Sequence, residues 1–127
     1  MIFADSSYFI AIADRKDQWH ERARELSKKT HEMIATELVL SESVTAVGAR
    51  GGGKAGMTLY AYVSDNCQVV FSDRGMLDRA MKIYLMYDGT LSLADAVSLI
   101  VMEDYGIKSI LSFDSDFDRV KGITRLA

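Results

Sequence analysis

Ser109-Ile110-Leu111-Ser112-Phe113-Asp114-Ser115-Asp116, residues 109–116, is a short apolar run that stops on two acids. It is too short for a helix, and its continuous apolar character is that of a strand covered on both faces. The same grammar stands at residues 2–5, where Ile2-Phe3-Ala4 stops on Asp5. Working outward from these two runs, the chain alternates strands with helices. Met33–Ala35, Gln68–Phe71 and Ile123–Leu126 read as further strands, beside Ile2–Ala4 and Ser109–Phe113. Gln18–Lys29 reads as a helix with Trp19, Ala23 and Leu26 on one face. Leu38–Gly48, Lys54–Ser64, Arg74–Tyr84 and Ser92–Tyr105 read as helices, the last ended by Gly106. Strand–helix alternation implies right-handed crossovers and a parallel sheet with helices on both faces. In such sheets ligands bind beyond the carboxyl ends of the strands.

Length and composition agree with one α/β domain over residues 1–127. At 127 residues, 49% hydrophobic and 26% charged, a chain can bury a core without a covalent staple. The single cysteine, Cys67, excludes an internal disulfide and reads as a small buried side chain. One cysteine and two histidines, His20 and His31, exclude a thiolate or imidazole zinc site. No run reaches a membrane span, and Met1-Ile2-Phe3-Ala4-Asp5 does not read as a secretory leader, so the expected location is the cytoplasm. The net charge of −3 gives no global attraction for nucleic acid. The charge is segregated, however. Residues 15–29 carry six basic side chains against three acids, and residues 103–118 carry five acids against Lys108 alone.

Four segments bring acids to one edge of the expected sheet. Asp5 follows the first strand, and Asp114 and Asp116 follow the fourth. Asp95 lies in the first turn of the helix 92–105, and Glu42 in an early turn of the helix 38–48. Each alone reads as structural: Asp5 and Asp114 as caps or turn formers, Asp95 as the partner of Ser92 in a capping box, Glu42 as a solvated helix residue. Together they repel, by about 1 kcal/mol per pair at 4 Å in water and several-fold more near protein. Raised pKa values or a divalent cation offset such repulsion. An all-oxygen donor set selects magnesium or manganese.

The chain resembles the PIN domain family, most closely its VapC-type toxins. The likeness runs over the whole chain. It rests on Phe3-Ala4-Asp5-Ser6-Ser7, Thr36-Glu37-Leu38-Val39-Leu40-Ser41-Glu42, Leu91-Ser92-Leu93-Ala94-Asp95-Ala96 and Leu111-Ser112-Phe113-Asp114-Ser115-Asp116-Phe117. The resemblance implies a three-layer domain with strand order 3-2-1-4-5. It implies Mg2+- or Mn2+-dependent cleavage of RNA to 5′-phosphate and 3′-hydroxyl ends, a homodimer and a small antitoxin partner. It assigns Asp5, Glu42, Asp95 and Asp114 as metal-site and catalytic acids, Asp116 as a variable fifth, and Ser6 and Ser112 as supporting hydroxyls. Ser112 departs slightly from the family, where threonine is common.

A metal-activated water could perform that hydrolysis without a histidine base. RNA would be held by basic residues such as Arg15, Lys16, Arg50, Lys54 and Arg74, with Tyr8 weighed as a base-stacking group against a packing role. An antitoxin would insert an Arg or Lys among the acids and pack on apolar surface that could include Tyr8, Ile12 and the helix 38–48. Three rivals remain. Gly48-Ala49-Arg50-Gly51-Gly52-Gly53-Lys54 matches part of a phosphate-binding loop, but Ala55 replaces the metal-binding hydroxyl and no strand is expected before it. An acidic-pocket phosphohydrolase would need a catalytic lysine after a strand. A non-catalytic binding module of the same fold would be expected to lack some of the acids.

Overall fold

The computed structural model describes residues 1–29 and 32–127; His31 lies outside the described residues. Five strands, β1 (Ile2–Ala4), β2 (Met33–Thr36), β3 (Cys67–Val70), β4 (Ser109–Leu111) and β5 (Thr124–Leu126), form one sheet in the order β3-β2-β1-β4-β5. Every pairing is parallel. Six helices provide the crossovers: α1 (Ser6–Ala13), α2 (His20–Ser27), α3 (Glu37–Gly51), α4 (Gly53–Asn66), α5 (Arg74–Met86) and α6 (Leu93–Asp104). The expected topology and α/β class are therefore observed.

Burial explains which strands take the centre. Phe3, Ala4, Ile34, Ala35 and Ile110 are fully buried, as strands covered on both faces must be. The outer strands β3 and β5 are only partly covered, unlike the uniform burial expected from their apolar runs. Helix α6 carries seven consecutive buried residues, Ala96–Met102. A helix apolar all round belongs inside a domain. No helix among the described residues is long and apolar enough to cross a membrane.

Three local differences from the sequence reading matter for the site. First, Ser6–Ala13 is a helix of its own, packed against α2 and α3. Its apolar run Phe9-Ile10-Ala11-Ile12 shows no one-sided pattern because Tyr8, Phe9 and Ala11 are all buried. Second, β4 stops at Leu111. The Ser112 N–H bonds to the Leu126 carbonyl, but the Phe113 N–H leaves the ladder and donates to Ser7 Oγ at 2.9 Å. The chain then enters a 3-10 turn, Ser115–Arg119, at Asp114. Third, α2 begins at His20, so Trp19 stands at its cap and not on its buried face. The glycine-rich segment joins two helices: α3 runs to Gly51, and Gly52 turns the chain at φ 90°. No strand precedes it, which removes the phosphate-loop reading.

Candidate active site

Asp5 occupies the N-cap of α1, at the carboxyl end of the central strand β1. It is 4% exposed, the one acid buried this deeply among the described residues. Two hydroxyls donate to the same oxygen, Oδ2: Ser112 Oγ at 2.8 Å and Ser7 Oγ at 2.9 Å. The two hydroxyls lie 3.2 Å apart. Ser7 Oγ also accepts the Phe113 N–H, and Ser112 Oγ accepts the Asp114 N–H at 3.0 Å. The ends of β1 and β4 are thus knitted through two serines. The Arg125 guanidinium adds a bond to the Ser112 carbonyl at 3.2 Å while pairing with Asp118. The Ser6 N–H favours the Asp5 anion without making a full capping bond.

Asp95 is fixed by the capping box of α6. Its Oδ2 accepts the Ser92 N–H at 3.1 Å, and its own N–H donates to Ser92 Oγ at 3.0 Å. Asp114 caps the 3-10 turn, its Oδ1 accepting the Asp116 N–H at 2.9 Å. In both, the structural role expected for a lone acid is present and engages one carboxylate oxygen.

Electrostatics couple these groups. Burial raises the Asp5 carboxyl above its ordinary value, the two serine hydroxyls oppose that, and the charge of Glu42 raises it further. Burial likewise raises Asp95, opposed by the Ser92 N–H; the charges of Asp5 and Asp114 add to the rise. Asp5, Asp95, Asp114 and Glu42 therefore share one field, though they come from four segments. Repulsion of this kind is what a cation relieves.

The donors are hard oxygens, suited to magnesium or manganese. Among the described residues, no three acids form a ready cage for an ion. Magnesium does not require one, since it commonly uses one or two carboxylates and keeps several waters. Asp5 and Asp95, coupled by charge and each a hard-oxygen donor, are the residues that could hold an ion in that mode.

Other residues fall differently. Glu42 is exposed on α3. Asp116 pairs with Arg119 at 3.2 Å. The hydroxyl on Asp5 comes from Ser7 and not from Ser6: the helix starts at Ser6, and its rotation brings the following side chain back over the cap. Tyr8 is fully buried, which removes it as a stacking group and as docking surface. His20 bonds the Ala11 carbonyl at 2.7 Å. Arg22 and Arg24 pair with Glu25 and Glu21 on their own helix, and Arg50 bridges Asp14 and Asp17. Cys67 is half-buried, its thiol pushed up to about 11 by burial.

Two features escaped the sequence reading. One is Ser7. The other is Glu37, which accepts four contacts from Ser72, two from the N–H (2.8 and 3.0 Å) and two from the hydroxyl (2.6 and 3.1 Å). It ties the start of α3 to the segment after β3. Ser72, a polar residue 35 positions away, gave no signal for this bond.

Comparison with known proteins agrees with this fold. The chain is 29% identical over 120 residues to the 23S rRNA-specific endonuclease VapC20 of Mycobacterium tuberculosis, covering 92% of each. The crystal structure of that protein, described as a sarcin-ricin loop cleaving toxin, superposes with a TM-score of 0.88 at 26% identity, over 97% of both chains. A toxin–antitoxin complex from Klebsiella pneumoniae shares the fold at a TM-score of 0.73 and 12% identity, over 98% of this chain and 96% of that one. The PIN domain family model matches residues 2–123. The chain belongs to the PIN domain family.

Proposed function

We propose that this protein is a Mg2+- or Mn2+-dependent endoribonuclease and the toxin of a toxin–antitoxin pair. The observation that carries the reading is Asp5: a buried carboxylate, clamped by Ser7 and Ser112, coupled to the charges of Glu42 and Asp95, the latter also facing Asp114. A stability-driven fold has little use for such a group, because a charge that is both buried and crowded is costly. The likeness to VapC20 supports RNA as substrate and a ribosomal stem-loop as a first substrate to try.

Asp5 and Asp95 would hold the ion, with Glu42 and Asp114 completing its water shell. Bound there, the ion would neutralise charge on a phosphoryl oxygen and lower the pKa of a coordinated water. The chain's own part is positional. Ser7 and Ser112 hold Asp5 in one orientation by filling the same oxygen. The capping box holds Asp95, and the 3-10 turn holds Asp114. Since α1, α6 and the sheet are packed elements, the site is rigid before substrate arrives.

The location proposed is the cytoplasm, with a homodimer as the working form and a small antitoxin as restraint. A guanidinium from the partner would pair with the acids. With Tyr8 buried, the apolar seat beside it is the groove lined by Ile12, Ala13, Ala55, Thr58, Leu59 and Tyr62. Incubation with the ribosomal stem-loop and with single-stranded RNA, with manganese or with EDTA, tests the activity. Cleavage in manganese that EDTA abolishes is expected. Equal cleavage in both, or none in either, overturns the reading.

A further inference from the structure

The indole of Trp19 and the ring of Phe113 stack with centroids 5.2 Å apart and planes within 3° of parallel. Trp19 nevertheless remains 44% exposed. Most large aromatics near the sheet are used otherwise: Phe3, Tyr8, Phe9 and Phe117 are buried in the core. Phe71 is more exposed, but it follows the outer strand β3 and has no ring partner among the described residues.

The position of the stack is what gives it meaning. The Phe113 N–H donates to Ser7 Oγ, and Ser7 Oγ donates to Asp5 Oδ2. Asp114 is the next residue in the chain. The pair is thus two hydrogen bonds from the buried acid and fixed to the same framework. On the other side, the Trp19 N–H donates to Asp17 Oδ1 at 2.9 Å, and Asp17 is itself tied to Arg50. Phe113 backs one side of the indole, and the backbone on both sides is pinned. A rigid, half-exposed aromatic surface beside a phosphate-handling site offers a nucleobase what stacking requires. It is also sequence-tolerant, because every base has a π-face. A base held inside a duplex cannot reach it, because its faces are already covered by neighbouring pairs.

We propose that Trp19, backed by Phe113, is a stacking platform for an unpaired nucleobase next to the phosphate being cut, so that the protein selects RNA whose target strand is looped or single. This rests on the nuclease reading, but its fluorescence readout does not depend on cleavage. Trp19 is the single tryptophan of the chain, so its emission reports the platform alone.

The experiment titrates the Asp5→Asn variant, which leaves RNA intact, with a single-stranded decaribonucleotide, an abasic strand of equal length and a blunt duplex. Binding is followed separately by labelled-strand anisotropy. The single strand is expected to quench tryptophan emission along its binding curve, with little quenching from the abasic strand or the duplex. In the otherwise unaltered protein, Trp19→Ala is expected to raise KM for looped RNA about 5- to 150-fold with kcat nearly unchanged, and Trp19→Phe to recover most of the loss. A strand that binds without quenching overturns the platform, as does a Trp19→Ala protein with unaltered KM. If manganese-dependent cleavage is absent but quenching is present, the nuclease reading falls and the platform stands.

Discussion

Asp5 and Glu37 both lie at the carboxyl edge of one parallel sheet, and each accepts hydrogen bonds from serine. The resemblance ends there. Glu37, on the β2–β3 side, takes Ser72 with both oxygens and extends the tie between β2 and β3 beyond their last paired residues. Asp5, on the β1–β4 side, takes both serines on one oxygen and is coupled to the charges of Glu42 and Asp95. Glu37 satisfies its charge within the chain, whereas Asp5 leaves a charge for something else to satisfy. Position at a strand end therefore does not make an acid functional. What distinguishes the two is how its oxygens are engaged and which charges face it.

Exchanging the two acids for uncharged residues should separate these roles. Asp5→Asn is near-isosteric and can still accept both serine hydroxyls, but an amide is a poor ligand for magnesium. Manganese-dependent cleavage should fall about a thousandfold or more, the scale set by several kcal/mol of lost charge stabilisation. Circular dichroism should be unchanged. Glu37→Ala should do the opposite, leaving cleavage within about twofold. Its urea midpoint should drop by the equivalent of about 1.5–3 kcal/mol, the range for hydrogen bonds to a charged group. Activity retained in the first variant, or lost in the second with stability intact, would break the distinction.

The serines sharpen it. Ser112→Ala removes one Oδ2 partner and the acceptor for the Asp114 N–H. Groups that orient a ligand in this way are typically worth about 10–100-fold, and a loss of that size in cleavage is expected. Ser6→Ala should matter far less than Ser7→Ala, since of these two hydroxyls only that of Ser7 meets Asp5. Equal effects would show that the hydroxyls act by general packing.

That contrast also shows what the sequence could reveal. Asp5 was legible because a strand that stops on an acid places it at the edge where such sheets bind ligands; Asp114 was legible at the same edge although β4 ends three residues earlier, at Leu111. Asp95 was legible as a capping residue from Ser92 alone. The difference between Ser6 and Ser7 was not, because it depends on where α1 begins, and a short helix buried on several sides shows no periodicity. Trp19 was misplaced for a related reason: its spacing from Ala23 and Leu26 suits a helix face, but α2 starts one residue later. The Glu37–Ser72 bond joins residues 35 apart through a contact that only the folded chain creates.

The smallest expected effect is thermodynamic. Asp5 and Asp95 titrate above their ordinary value of 3.8 in the folded protein. The folded state therefore holds protons that the unfolded chain releases. The resulting stabilisation is fully present below about pH 3.8 and is lost as pH rises through the raised values. Ionising these carboxylates without metal therefore costs the folded state stability as pH rises. Asp95→Asn should then melt a few degrees above the parent in EDTA, and the gap should close as pH falls toward 4. Magnesium should raise the parent's melting temperature more than the variant's. A parent indifferent to millimolar magnesium would leave the Asp5 side no different in kind from the Glu37 side.

The bond between Asp5 and Ser112 spans 107 residues of chain. During synthesis Asp5 is made 107 residues ahead of Ser112, and β1 pairs with β4 only after that stretch has followed. Until then Asp5 lacks its Ser112 clamp, and Asp114 is absent altogether. A chain made only as far as residue 108 consequently lacks both the Ser112 clamp and Asp114, so this edge is assembled only once β4 has joined β1. The order of strands in the sheet acts as a timer.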